Sequence, residues 1–289
     1  MTSPAESAEP AGSAGQPAVA VIGAGPAGLS AAVHAAEHGA VTLLIDSGAR
    51  LGGQYWRHPK AGLDAASSAR SARSRFDQPL HHDVATYRDL ARRIDTLVAA
   101  GLLTVHLEHH AWSVQTDRSG CSIAAVDRRD PDRPAELRVR ATIVVLAVGA
   151  YDRPVPFPGW DLPGVLTVGG AQALLKGSGV AVGPRVLIAG TGPFLLPVAT
   201  ALAAHGADVL GVHEANRGTG WLRQLPAAAS QPAKLREAAG YAFELARHRI
   251  PLRTGSVVVA AHGAGRLEAV TVARLDRSRK VRDDTRRRL

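Results

Sequence analysis

Two short runs of glycine in this chain have the spacing needed to hold the phosphates of a dinucleotide. The first is Gly23-Ala24-Gly25-Pro26-Ala27-Gly28. Gly23 permits a tight turn, Gly25 lets the backbone approach a pyrophosphate, and Gly28 lets a helix lie close to a strand. Pro26 and Ala27 open that helix, where backbone N–H groups and a partial positive charge face the anion. Asp46 stands eighteen residues beyond Gly28 and ends the next apolar run, where a carboxylate can accept hydrogen bonds from a ribose diol. The second run is Gly190-Thr191-Gly192-Pro193-Phe194-Leu195, with Glu214 in the place of Asp46. Gly190 and Gly192 allow phosphate approach, Pro193 opens the helix, and Glu214 favours a free ribose hydroxyl over a 2′-phosphate. Leu195 replaces the third glycine, so the second helix must stand farther from its sheet or begin differently.

Other residues of chemical type carry less. His34, Glu37 and His38 spell a zinc-protease pattern, yet they lie on the helix opened by the first glycine run and lack an identifiable third ligand. The pairs His81-His82 and His109-His110 are adjacent, a spacing that does not bring two imidazoles to one metal. Lys176 could act as a base or form a Schiff base. The Gly177-Ser178-Gly179 that follows reads instead as a helix C-terminus, where a cation is favourable. Cys121 is the single cysteine, which excludes an internal disulfide, a dithiol relay within one chain and a cysteine-ligated cluster. A reducing cytoplasm is compatible with this.

Elements with the right periods surround the two glycine runs. Residues 18–23 (AVAVIG) and 41–46 (VTLLID) are short apolar runs separated by a small-residue helix, the spacing of a βαβ unit with parallel strands. Residues 47–82 form a long aperiodic stretch, and residues 84–100 place Val84, Tyr87, Leu90, Ala91, Ile94, Leu97 and Val98 on one helical face. Runs at 103–108, 112–116 and 121–127 alternate like an antiparallel meander, and residues 143–149 (IVVLAVG) read as a further buried strand. Four prolines between 151 and 164 mark a junction. The βαβ pattern then returns, with a strand at 185–189, a helix at 193–205 and a strand at 208–214. A helix at 232–248 and strands at 256–261 and 267–274 follow. The predicted class is α/β, with two Rossmann-like domains and a small antiparallel meander. The expected divisions are a disordered lead-in (1–17), a first dinucleotide-binding domain (18–158), a second (159–275) and a basic tail (276–289).

The 289 residues and 46% hydrophobic content suffice for two cores. The net charge of +9 is uneven. From Arg274 to Leu289 eight basic residues face three acidic ones, and between Arg57 and Arg75 five face one. Neither patch interleaves aromatics or matches a nucleic-acid module, so nucleic acid is not an expected partner. The uncharged run 186–204 contains Gly190, Gly192, Pro193 and Pro197, and reads as strand, turn and helix rather than a transmembrane segment.

Several stretches together carry a resemblance. VIGAGPAGLSAAVHAAEHG, LIDSGARLGGQYWRH, VVLAVGAYDRPVPFPGWDLPGV and GGAQALLKG followed by GTGPFLLPVA resemble the A (α) subunits of opine oxidases, hydrogen cyanide synthase and hydroxyproline or proline dehydrogenases. These are flavoproteins with two dinucleotide-binding domains. The resemblance implies FAD on the first domain, with Gly23, Gly25 and Gly28 at the pyrophosphate and Asp46 at the adenosine ribose. It also implies that Gly52, Gly53 and Gln54 approach the flavin side and that Ala111 offers backbone contacts to adenine. Ala147-Val148-Gly149 would form a second turn toward FAD, with Val148 where threonine is usual. NAD(H) or another adenine nucleotide is the expected occupant of the second glycine run.

The implied activity is FAD-dependent oxidation of an amine or imino acid, with the substrate site on a partner subunit of a hetero-oligomer. No catalytic side chain is assigned. The resemblance implies a segment returning to the FAD domain, and the chain is expected to lack it, its basic tail being foreign to the fold. Where a disulfide reductase launches its thiol pair, Gly52-Gly53 leads here into Gln54-Tyr55-Trp56, so electrons must leave the flavin through another molecule. Two rivals remain open: a noncatalytic nucleotide-binding subunit or remnant, and an NADH-dependent reductase of an electron carrier.

Overall fold

A computed structural model of the chain describes residues 16–57, 83–130, 132–217 and 232–289. The expected lead-in up to residue 15, the stretch 58–82 and the pair His81-His82 lie outside the described residues. The chain divides into two compact units, one running to Arg57 and again through the 80s to Gly149, the other from Ala150 onward.

In the first unit, β1 (Val19–Ile22), β2 (Thr42–Ile45), β3 (Leu103–His106) and β7 (Ile143–Leu146) form a parallel sheet in the order β3-β2-β1-β7. All four residues of β2 are buried, as a parallel strand covered on both faces requires. Helix α1 (Pro26–Glu37) buries Gly28, Leu29, Ala32, Val33 and Ala36, a stripe of mainly small residues that lets it lie close to the sheet. Helix α2 (Val84–Ala99) buries Leu90, Ile94 and Leu97 against the same core. Its Arg93 reaches back to Glu37 on α1, which absorbs one carboxylate of the apparent zinc pattern and holds it below its ordinary pKa. No group of three metal-ligating side chains occurs among the described residues.

An antiparallel sheet of β4 (His109–Asp117), β5 (Gly120–Asp127) and β6 (Ala135–Ala141) covers the other face, packing Ile123 and Ala125 on Ala20, Ile22, Leu43 and Ile45. Here the structure corrects the sequence reading. The run at 103–108 belongs to the parallel sheet, and the third meander strand is the unpredicted β6, whose arginines at 138 and 140 masked its alternation.

In the second unit, helix α3 (Val168–Ser178) is capped by the Thr167 hydroxyl, which accepts from the Gly170 N–H, and is closed by Gly179 in the left-handed region. Lys176 sits in its last turn, as expected of a helix C-terminus. Strands β8 (Arg185–Gly190), β9 (Asp208–Glu214) and β10 (Leu252–Thr254) form a second parallel sheet, ordered β10-β9-β8. Helix α4 (Leu195–Ala204) packs Leu195, Val198, Ala199 and Leu202 into a core shared with Leu245 of α5 (Pro232–Arg247). Strands β11 (Ser256–His262), β12 (Ala269–Leu275) and β13 (Val281–Arg288) make a second antiparallel sheet. The basic segment read as a tail is therefore in large part a strand, aligned with β12 from Thr271↔Arg288 to Leu275↔Val281. Its lack of apolar alternation reflects an exposed edge, where side chains have no core to face.

Candidate functional site

The first glycine run lies between the C-terminal end of β1 and the start of α1, as its spacing requires. Gly23 has φ +106°, and a Cβ there would stand 2.3 Å from the Ala147 carbonyl oxygen, so only glycine fits. A Cβ on Gly28 would stand 1.7 Å from the Gly23 carbonyl oxygen, which makes Gly28 the point of closest contact between helix and turn. Gly25 is different: nothing lies within 4 Å of the position its Cβ would take. The middle glycine thus faces open space at the N-terminus of α1, where an anion is favoured.

Three segments converge on this turn. Gly52 donates its N–H to the Ala24 carbonyl at 2.8 Å, and a Cβ on Gly53 would stand 2.8 Å from the Gly25 Cα. Both have positive φ, +114° and +59°. Their loop is pinned by Trp56, only 3% exposed, whose N–H donates to Gly52 O and whose ring lies 5.4 Å from that of Tyr87. Gln54 is exposed, and its Oε1 accepts from Arg57. At the third side, Ala147 donates to Ile22 O, followed by exposed Val148 and by Gly149 at φ +73°.

Asp46 accepts from the Ala24 N–H through Oδ2 (2.5 Å) and from the Gly48 N–H through Oδ1 (2.6 Å). Its carboxylate ties β2 to the glycine turn, and each oxygen retains a lone pair for a further donor such as a ribose hydroxyl. Residues 106–109 flank it: Asp46 N donates to His106 O and His109 N donates to Asp46 O. The sequence did not single out His106. Burial, with His109 and Arg129 nearby, holds its imidazole below the ordinary value. Ala111 lies two residues further along β4 and packs on the cluster of Ile22 and Ile45.

The second glycine run repeats the plan with one shift. Glu214 ends β9 and accepts from the Gly192 N–H (2.8 Å) and from the Asn216 N–H (2.9 Å). Gly190 and Gly192 have φ +156° and +106°. Leu195 produces the local adjustment: α4 begins three residues after Gly192, whereas α1 begins one residue after Gly25. The intervening N–H groups of Leu195 and Leu196 bond back three residues, to Gly192 and Pro193. Leu195 itself is buried, with Cδ2 3.2 Å from the position of a Cβ on Gly190. A hollow of about 130 Å³ lies beside this turn, lined by Gly192, Leu195, Leu196, Glu214 and Thr254 among others.

Two units, each opening on a glycine turn closed by a strand-end carboxylate, define a protein with two dinucleotide-binding folds. The chain belongs to the pyridine nucleotide-disulphide oxidoreductase family, whose profile matches residues 17–283. It is 33% identical over 253 residues to the HcnB subunit of hydrogen cyanide synthase from Pseudomonas protegens, covering 88% of this chain and 50% of that protein. It is 38% identical over 211 residues to the A (α) subunit of opine oxidase from Rhizobium meliloti, covering 72% of this chain and 41% of that protein. The chain thus spans about half the length of these relatives or less. Among solved structures, T. acidophilum thioredoxin reductase superposes with a TM-score of 0.57 at 16% identity, over 95% of this chain and 74% of that one. The chain therefore has the flavoprotein oxidoreductase fold, and the first turn, with its open Gly25 and its Gly52-Gly53 loop, fits the FAD expected there.

Proposed function

We propose that the chain is the FAD-holding subunit of an oxidoreductase acting on an amine or imino acid. The observation that carries this reading is the joined first turn: Gly25 open to solvent, Asp46 at the strand end, and Gly52-Gly53 bonded to Ala24. In this reading Gly25, Ala27 and Gly28 hold the pyrophosphate, Asp46 the ribose diol, and residues 52–54 and 147–149 the flavin side. Bound FAD would supply the hydride-accepting chemistry, while the protein orients and tunes it. Gln54-Tyr55-Trp56 provides no thiol, so the electrons pass to another molecule rather than to a neighbouring disulfide. The relatives' names, both of enzyme subunits, support a partner chain that contributes the substrate site within a hetero-oligomer. The second turn, with Glu214 at its strand end, is assigned to NAD(H) or another adenine nucleotide. No described helix is long and apolar enough to cross a membrane, and with one cysteine we place the protein in the cytoplasm.

The test is spectroscopic. The purified chain is reconstituted with FAD, its flavin absorbance recorded, and bleaching followed anaerobically with a panel of imino acids or with NADH, with and without a co-expressed partner. Bleaching by imino acids in the presence of the partner is expected. Absence of any flavin band after reconstitution would remove the reading, and bleaching by NADH alone would move it to a carrier reductase.

A further inference from the structure

The two edges of the first parallel sheet differ. At β3 no large apolar side chain is exposed and Leu103 is buried. At β7, Ile143 is 55% exposed, Leu146 64% and, just beyond the strand, Val148 63%. Natural edge strands resist pairing with another chain through charged side chains, proline or a bulge. Residues 142–148, Thr-Ile-Val-Val-Leu-Ala-Val, have no charge and no proline, and β7 pairs with β1 without a register shift. The other described edges are protected. Strands β4, β6, β8, β10 and β13 carry Asp117, Arg138, Arg185, Arg253 and Arg282, and no side chain of β11 is exposed.

The backbone at β7 points in a defined way. Ile143 donates to Ala18 O at 3.0 Å and Ala147 to Ile22 O at 2.8 Å. Along a strand the N–H and C=O of one residue point to the same side, and successive residues alternate. The odd-numbered residues therefore face β1. Thr142, Val144, Leu146 and Val148 turn their N–H and C=O groups to the open edge.

We propose that this edge is an interface with a second copy of this chain, β7 pairing antiparallel with its counterpart about a two-fold axis at Val145. The outward-pointing groups fix the register. Val144 exchanges bonds with Leu146 of the copy, Leu146 with Val144, and Val145 stands opposite Val145. One step further out, Thr142 meets Val148. A two-fold interface must complement itself, and this strand does, because every opposed pair is uncharged. A copy docking on β13 would instead set arginines against arginines. The paired strand is short against the roughly 1,000 Å² that a stable interface buries, so the dimer is weak and dissociates on dilution.

Sedimentation of the full chain from about 1 to 100 µM tests this independently of any cofactor. The mass is expected to rise from 30.1 kDa toward twice that value. Leu146→Pro removes an outward N–H while leaving the bonds to β1, and Val144→Lys places a charge opposite Leu146. Circular dichroism checks that each variant is folded, and each is expected to remain at the monomer mass. A wild-type chain that stays monomeric over this range overturns the proposal. So does a dimer that persists in whichever variant is folded, because its contact then lies on another face.

Discussion

Gly25 and Gly28 differ in what surrounds them, and alanine at each separates the stability of the fold from its grip on FAD. At Gly28 a Cβ would stand 1.7 Å from the Gly23 carbonyl oxygen, where ordinary contact begins near 3.4 Å. The start of α1 must retreat by about half that separation, or the Gly23 turn must distort. Overpacking of this kind costs about 1–3 kcal/mol, and the contact here belongs at the upper end. At about 2–4 °C per kcal/mol, Gly28→Ala should lower Tm by roughly 6–12 °C. Gly25 has φ −75° and empty space around its missing Cβ, so alanine adds no clash. Its only penalty is that alanine is a poorer helix N-cap than glycine, about 0.5 kcal/mol. The added methyl does fill the space that a pyrophosphate must enter. Thermal unfolding of the apoprotein by circular dichroism, paired with FAD titration by flavin fluorescence, reads both quantities. Gly25→Ala should keep Tm within about 2 °C and weaken FAD binding at least tenfold, whereas Gly28→Ala should lower both. If Gly25→Ala binds FAD as the wild type does, the pyrophosphate is not held at this turn.

Trp56→Ala should cost about 3–5 kcal/mol, since a buried indole leaves a cavity beneath the Gly52-Gly53 loop; urea unfolding measures it, and a loss under about 1 kcal/mol would remove Trp56 as the anchor. Glu214→Ala leaves the N–H groups of Gly192 and Asn216 without their carboxylate, so the second unit should lose about 1.5–3 kcal/mol, with hydrogen exchange rising at those amides. His213 is buried on β9 with Nδ1 2.7 Å from Ser256 Oγ, and burial, then Arg253, holds its imidazole below 6.5. The folded state therefore binds protons less readily than the unfolded chain. The stability this confers is fully present above about pH 6.5 and is lost as pH falls below it. The urea midpoint of the wild type should drop between pH 7 and pH 5, and His213→Gln should show a shallower drop; equal slopes would refute the assignment.

Both glycine turns, both strand-end acids and both parallel sheets were legible because each rests on local rules: an apolar run, a residue that tolerates positive φ, a carboxylate at fixed spacing. The family was legible for the same reason. What escaped were features set by distant partners. β3 looked like the meander strands because its period is the same, and only pairing to β2 decides its sheet. β6 and β13 were hidden by arginines, since an exposed strand needs no apolar alternation. The role of Trp56 depends on Tyr87, thirty-one residues away, and could not be read beside Gly52-Gly53 alone. Gln54 was placed by its neighbours, and the structure joins its side chain to Arg57 at the surface.

The two strand-end carboxylates act as rulers of different length. Aligning the turns sets Ala24 beside Thr191 and Gly25 beside Gly192. Asp46, one methylene shorter, clasps the amide of the residue before the second glycine, while Glu214 reaches one residue further and clasps the second glycine itself. One carbon thus decides which amide each turn gives to its own scaffold, and the same decision settles which it can still offer to a guest.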